Sequence, residues 1–156
     1  MLSRAMNLLR ALAVICVAGW LGIMAFFSFA VAPVVFRAID RAVAGQAVAA
    51  VLPRYYEWGL ALTAIAFVAS LIQLTTSKEG RLRPLIGAAL GVAMLVTLLW
   101  ASVVLLPRAD AARRARDDSA FADAHRASVR LNLVTLAAGA AFVAVDGISR
   151  WRGRGQ

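Results

Sequence analysis

The segment LIGAALGVAMLVTLLWASVVLL, from Leu85 to Leu106, contains no charged side chain over its 22 residues. As an α-helix it would rise about 33 Å, which matches the roughly 30 Å hydrocarbon core of a bilayer. Three other long apolar stretches flank it. We therefore predict an all-α membrane protein, an up-and-down bundle of four transmembrane helices. Residues 1–156 would form a single domain, with spans at about 8–32, 55–74, 85–106 and 129–149.

The composition supports the same class. The chain has 156 residues, of which 62% are hydrophobic, and its mean hydropathy is +0.78. Soluble domains contain roughly 45–50% apolar residues. The net charge of +9 comes mainly from arginines between the apolar stretches. No nucleic-acid recognition motif accompanies them, so we expect no nucleic-acid binding and predict the lipid bilayer as the main partner.

The N-terminal segment is predicted to be a retained span. The apolar stretch from Ala11 to Ala32 exceeds the roughly 7–15 residues of a signal-peptide core, and Pro33 would follow the cut. The Ala- and Arg-rich composition indicates a bacterial inner membrane. Basic residues are nearly balanced between the two sides, but those at the termini and the short turn lie closest to span ends with little acid. We therefore expect both termini in the cytoplasm.

Prolines and polar residues predict where the helices end. Pro33 should disturb the first helix, and the spacing of Phe36, Ile39 and Val43 favours a short interfacial helix between helices 1 and 2. Pro53 would occupy the first turn of the second span. Pro107 would end or kink the third. The next positions share a predicted role at helix boundaries: Tyr55, Tyr56 and Trp58 as interfacial aromatics, Trp100 near the same interface, and Asp118 or Ser119 as the cap of the last helix.

Small and polar residues at helical spacing predict the faces that meet inside the bundle, because helices in lipid associate through such residues. On the second span they are Tyr56, Gly59, Thr63, Ala66, Ser70 and Gln73; on the third, Gly87 and Gly91; on the first, Gly19 and Gly22. On the last they are Phe121, His125, Ser128, Asn132, Thr135, Gly139, Phe142 and Asp146, which we call the polar stripe. Gly87 and Gly91 could serve self-association, but we favour contacts within the chain.

Residue types needed for most enzyme sites are scarce. His125 is the only histidine and Cys16 the only cysteine, so one chain cannot supply a His/Cys metal cluster or an internal disulfide. Nucleotide-binding and hydrolase motifs are absent from the sequence. We predict no metal site and no cofactor, and we favour a non-enzymatic protein.

A family resemblance rests on three short sequence motifs: Ala32-Pro33-Val34-Val35-Phe36, Ala44-Gly45, and His125-x-x-Ser128-x-x-x-Asn132. Together they resemble the transmembrane protein 205-like family. This resemblance implies a four-span membrane protein of unsettled function, found in bacteria and in animals, where the family is linked to platinum-drug resistance. A more distant likeness in layout to copper-resistance and haem-pathway membrane families leaves a haem or metal role open, with His125 as the candidate ligand.

Three functions are therefore open. The first is binding or passage of a small molecule at a polar site near one membrane face; the second is a haem- or metal-binding oxidoreductase; the third is a structural or accessory membrane subunit. The residues predicted to form the site are His125, Ser128 and Asn132, with Tyr56 and Glu57 or Arg37 from the opposite connector. Glu57 could instead pair with Arg54. Helix packing is the alternative role for the whole polar stripe.

Overall fold

The structure is a computed structural model that describes residues 2–76 and 80–152, with side chains described between residues 4 and 145. Within these ranges every regular element is helical, which confirms the predicted all-α class. The α-helices are α1 (Leu2–Phe26), α2 (Ala32–Ala38), α3 (Arg41–Thr76), α4 (Leu82–Trp100), α5 (Leu106–Ala115) and α6 (Asp118–Arg152). Two π-helical turns, Phe27–Val31 and Ala101–Leu105, join α1 to α2 and α4 to α5.

Among the described residues, four helical segments are long and apolar enough to cross a membrane: Arg4–Ala38, Arg41–Thr76, Leu82–Ala115 and Asp118–Val145. Successive segments run in opposite directions. Helix α1 packs on α3, α3 on α4, α4 on α6, and α6 on α1, so the four segments form a closed ring. The prediction of four spanning helices is confirmed. We call the end of the bundle with the termini and Gly80 the inner end, and the opposite end the outer end.

Pro33 and Pro107 do not end their helices. Each lies two residues after a π-helical turn, and the helix then continues to Ala38 or Ala115. A proline lacks the N–H that would close an α-helical turn, and its ring crowds the carbonyl four residues earlier. A π-helical turn before the proline changes the local hydrogen-bond pattern, so the chain accommodates the ring without leaving the helix.

The segment expected to form a separate interfacial helix is instead divided at Ile39 and Asp40. Ile39 is extended, and the Asp40 carboxylate accepts a 2.8 Å hydrogen bond from the backbone N–H of Ala42. This cap starts α3 at Arg41, and the alanine-rich sequence that follows favours a continuous helix. Pro53 therefore lies well inside α3 rather than in a first turn, which corrects the sequence prediction.

The outer end consists of two helical hairpins, α2 with the start of α3, and α5 with the start of α6. Between α5 and α6, Arg116 adopts the left-handed conformation, with φ of 56°. Asp117 caps α6 and accepts hydrogen bonds from the Ala120 N–H and the Ser119 hydroxyl, at 2.9 and 2.7 Å. These bonds, the Ala120 bond first, lower the pKa of the Asp117 carboxyl. The cap therefore lies before both predicted candidates, Asp118 and Ser119.

The core lies in the inner two thirds of the bundle. Its largest fully buried side chains are Trp20, Met94 and Leu98. Cys16 is also buried, as expected for a small apolar residue. Around the outside, α1 and α4 expose long apolar side chains to the position that lipid would occupy. An apolar outer surface of this kind is expected where lipid tails surround the helices.

Candidate functional site

The small and polar stripe of α3 faces the bundle interior over its whole length. All six of its residues are buried, namely Tyr56, Gly59, Thr63, Ala66, Ser70 and Gln73. Gly59 contacts the indole of Trp20: a Cβ atom there would lie 2.6–2.9 Å from three of its ring carbons. The absence of a side chain at Gly59 therefore lets α1 and α3 approach closely.

The glycines predicted to lie at helix contacts on α4 and on α1 differ in what surrounds them. A Cβ at Gly91 would meet Phe67 of α3 at 3.2–3.4 Å, and one at Gly87 would meet the Ser70 hydroxyl at 3.1 Å. Both therefore serve the α3–α4 contact within the chain. Gly19 and Gly22 are exposed and would meet nothing within 4 Å. Their predicted place in a helix contact is wrong, because the burial of Trp20 turns the opposite face of α1 inward.

From Thr135 to Phe142, the inner part of the polar stripe packs against α1 and α4, and Asp146 lies outside the described side chains. The Thr135 hydroxyl is fully buried and hydrogen-bonds the hydroxyl of Thr97 at 2.7 Å. A Cβ at Gly139 would touch Leu21 of α1 at 2.7 Å. Phe142, one turn further along, is also buried. This half of the stripe therefore fastens helices together, the alternative role considered for it.

The outer half of the polar stripe is much less enclosed. His125 is exposed and lies parallel to the ring of Phe121, with centroids 6.2 Å apart. Ser128 is half-buried and donates to the Ala124 carbonyl at 3.0 Å. Asn132 is half-buried too, and its amide makes no hydrogen bond to any described residue. These three side chains lie on one face of α6, as predicted, without being buried in a helix contact.

The two outer hairpins make few close contacts with each other. Gly139 contacts Leu21, and α6 and α1 run antiparallel there. Asn132 and Ser28 each lie seven residues, or about 10 Å, further toward the outer end of their helices. The two residues are therefore at about the same level along the bundle axis. Ser28 belongs to the first π-helical turn and is exposed. We call the region between this turn and the Asn132 side of α6, as located by helical spacing, the outer cleft. Sequence reasoning missed Ser28, because nothing in the sequence marks the π-helical turn.

The residues predicted to complete the site from the opposite connector lie apart from one another. Tyr56 is buried against Tyr55, with ring centroids 5.3 Å apart. Glu57 is exposed and pairs with Arg54 at 2.6 Å, the alternative considered for it. Arg37 is exposed on α2. Among the described residues no hydrogen bond, ion pair or ring contact joins these three to His125, Ser128 or Asn132.

An aromatic cluster occupies the core where interfacial aromatics were expected. Tyr55 packs on Trp20 and Phe27, with ring centroids 4.7 and 5.2 Å apart, whereas Trp58 and Trp100 are exposed. Tyr55 therefore belongs to the core. The polar atoms of Trp20, Tyr55 and Thr63 are buried without a hydrogen-bond partner in the described part of the chain. Sequence reasoning missed Trp20, although Gly59 was a signal that a large side chain crosses there.

Two further arrangements bear on ligands. In the described ranges, no group of three or more His, Cys, Asp or Glu side chains is placed to hold a metal ion. A wide groove of about 600 Å³ runs between α5 and α6 and is lined mainly by alanines, including Ala124 and Ala127. Helical spacing puts this groove on the flank of α6 that faces away from His125, so it is separate from the predicted site.

These features define a multi-pass membrane protein built as a four-helix bundle. Residues 15–118 match the family model described as Domain of unknown function (DUF4149), and the chain belongs to this family. An uncharacterized protein of Aquifex aeolicus (strain VF5) is 30% identical over 117 residues, covering 75% of this chain and 80% of that relative. No solved structure gives a significant match.

The family match covers two of the three sequence motifs that carried the resemblance. Residues 32–36 and Ala44-Gly45 lie inside the matched range, whereas His125, Ser128 and Asn132 lie beyond it. In the first hairpin Ala44 is fully buried, Ala32, Pro33 and Gly45 are half-buried, and Phe36 is exposed. The first two motifs thus belong to a packed hairpin. The resemblance to the transmembrane protein 205-like family stays a prediction.

Proposed function

We propose that the protein binds or passes a small molecule at the outer cleft, in a bacterial inner membrane with both termini in the cytoplasm. The observation that carries this proposal is the half-buried amide of Asn132, which has no hydrogen-bond partner among the described residues. A polar group at that depth is costly unless a ligand or water satisfies it. Lipid tails cannot do so.

The contrast within the polar stripe supports a ligand at its outer half. Thr135 is fully buried and bonded to Thr97, as expected for a residue that only joins helices. Asn132, one turn away, has greater hydrogen-bonding capacity and uses none of it within the described chain. His125 lies about 10 Å further out, so the polar groups descend from the headgroup level into the cleft. This arrangement suits a small polar molecule that enters from the interface.

The ligand class is proposed from the family resemblance. Because the transmembrane protein 205-like family is linked to platinum-drug resistance, cisplatin is the first probe to use. Cu²⁺ is the second, because of the more distant likeness to copper-resistance families. We expect a host strain that lacks this protein to change its growth inhibition by at least one of the two compounds. Restoring the gene should restore the original inhibition.

The decisive variant is Asn132→Leu, which keeps the side-chain size and removes all hydrogen-bonding groups. We expect normal folded yield, because leucine suits a lipid-accessible position, together with the growth phenotype of the deletion strain. The matched control is Thr97→Val, which removes a packing hydroxyl and should leave growth unchanged. Equal growth phenotypes for both variants, or none for Asn132→Leu in a host whose deletion has one, would contradict the proposal.

The other two hypotheses have separate tests. A Soret band that survives purification would support the oxidoreductase hypothesis, in which exposed His125 would supply one axial ligand to haem. Copurification of one membrane protein in fixed ratio would support an accessory subunit. Reporter fusions at Gln156 and near Asp117 test the proposed orientation, and a periplasmic signal from Gln156 would reverse it.

A further inference from the structure

We infer that the inner end of the bundle holds a binding site for the phosphate group of an anionic phospholipid, formed by Arg10, Gln73 and Arg83. All three side chains line one cavity of about 20 Å³ between the four helical segments. A cavity of this size admits one water-sized group, which is also the size of a single phosphate oxygen. The remaining phosphate atoms would stay at the mouth, at headgroup level.

Gln73 organises the polar side of this cavity. Its side chain is 6% exposed, and its amide nitrogen donates to the Ala69 carbonyl at 3.2 Å. Its amide oxygen accepts a 3.1 Å hydrogen bond from Arg83. The Arg83 guanidinium is thereby held at the cavity by a residue of the neighbouring helix. A guanidinium fixed in this way loses little side-chain entropy when it binds a ligand.

Arg10 brings a second guanidinium to the same cavity from α1. Both arginines are half-buried, so the bilayer and the protein screen their charges less than water would. Two guanidinium groups from different helices suit a phosphate, whose oxygens accept several charge-assisted hydrogen bonds. Basic pockets between transmembrane helices are known to bind anionic headgroups on the cytoplasmic side.

The depth of the cavity favours a lipid as the source of the phosphate. Gln73 lies one turn from the end of α3 at Thr76, and Arg83 lies in the first turn of α4. Both positions are therefore near the headgroup level. The rest of the lining is largely apolar and includes Phe142 and Leu90, which suits the glycerol and upper acyl chains. Free phosphate shares the anionic chemistry and would lack these apolar contacts.

The test compares two charge-matched double variants of the full chain, purified in detergent. Arg10→Gln with Arg83→Gln removes both cavity arginines; Arg4→Gln with Arg81→Gln removes two exposed arginines from the same end. Binding of phosphatidylglycerol and of phosphatidylcholine is measured by native mass spectrometry. We expect the cavity variant to lose at least about tenfold in phosphatidylglycerol affinity and the control to stay within about twofold.

Further arms distinguish the outcomes. Equal losses in both double variants, or no preference for phosphatidylglycerol in the unaltered protein, would overturn the inference. Inorganic phosphate is added as a competitor, and displacement of the lipid at millimolar phosphate would overturn the assignment to a lipid. If the cavity variant does not fold, Arg10→Gln is compared with Arg4→Gln, since this single change keeps the hydrogen bond between Arg83 and Gln73. The same loss is expected there in smaller measure.

Discussion

Replacing Gly59 by alanine would put a methyl carbon 2.6, 2.7 and 2.9 Å from three ring carbons of Trp20. Carbon atoms in contact normally lie about 3.5–4.0 Å apart, so the indole or the whole of α1 must move. Trp20 has no exposed surface and its ring packs on Tyr55 at 4.7 Å, which leaves it little room. Overpacking of this kind costs about 1–3 kcal/mol.

Thermal unfolding in detergent measures the effect, with a thiol-reactive fluorogenic dye as the probe. Cys16 is the only cysteine and is 5% exposed, so the dye reports the opening of the α1 interface. For a chain of this size the expected fall in Tm is about 2–12 °C. The control is Gly22→Ala, which meets nothing within 4 Å. That variant should melt at or slightly above the unaltered protein, because alanine favours the helix.

A second substitution tests the cause. Trp20→Phe replaces the indole by a smaller ring, so combining it with Gly59→Ala should relieve the crowding. The two changes should then be less destabilising together than their sum, by about 0.5–3 kcal/mol. Additive effects within about 0.5 kcal/mol, or a Gly59→Ala protein that melts with the Gly22→Ala control, would refute the close α1–α3 contact at this position.

Three other outcomes follow from the described contacts. Gly91→Leu should crowd Phe67 and lower Tm without changing the mass of the solubilised particle in light scattering; loss of a dimer would show an intermolecular role instead. A double-mutant cycle with Thr97→Val and Thr135→Val should give a coupling of about 0.6 kcal/mol, and zero coupling would remove their hydrogen bond as a stabilising contact. Because hydrogen bonds lower the pKa of Asp117, its cap stabilises the fold above the unfolded pKa and ceases to do so as pH falls through the folded one. The Tm difference between the unaltered protein and Asp117→Ala should therefore shrink between about pH 6 and about pH 2, and a constant difference would contradict this role.

The helical period of small and polar residues predicted which face of each helix points into the bundle. The structure agrees with this prediction most closely on α3. The α3 stripe through Thr63 is buried throughout, because small and polar residues recur at the helical period and lipid disfavours them. Gly59 indicated that a large side chain crosses that interface, but the sequence did not identify it as Trp20. The pattern of one helix does not specify which residue of another helix will meet it, and an indole on an apolar helix gives no periodic signal of its own.

The differences at the outer end have local causes. Asp40 caps α3 and so places Pro53 inside a helix, although proline is more common in the first turn of a helix. Within the polar stripe, the sequence cannot distinguish buried Thr135 from half-buried Asn132, because the difference arises from how far the two hairpins stand apart. The predicted site residues share a helix face, but their predicted neighbours Glu57 and Arg37 make no described contact with them.

The π-helical turns before Pro33 and Pro107 also affect the rotational phase of the helices. A π-helical turn contains about one residue more than an α-helical turn, and each residue advances the helix by about 100°. The faces of α2 and α5 are therefore offset from those that α1 and α4 would present if they continued without interruption. Deleting a single residue within Phe27–Val31 would turn α2 by about that angle relative to α1. A one-residue change in length thus re-aims one wall of the outer cleft.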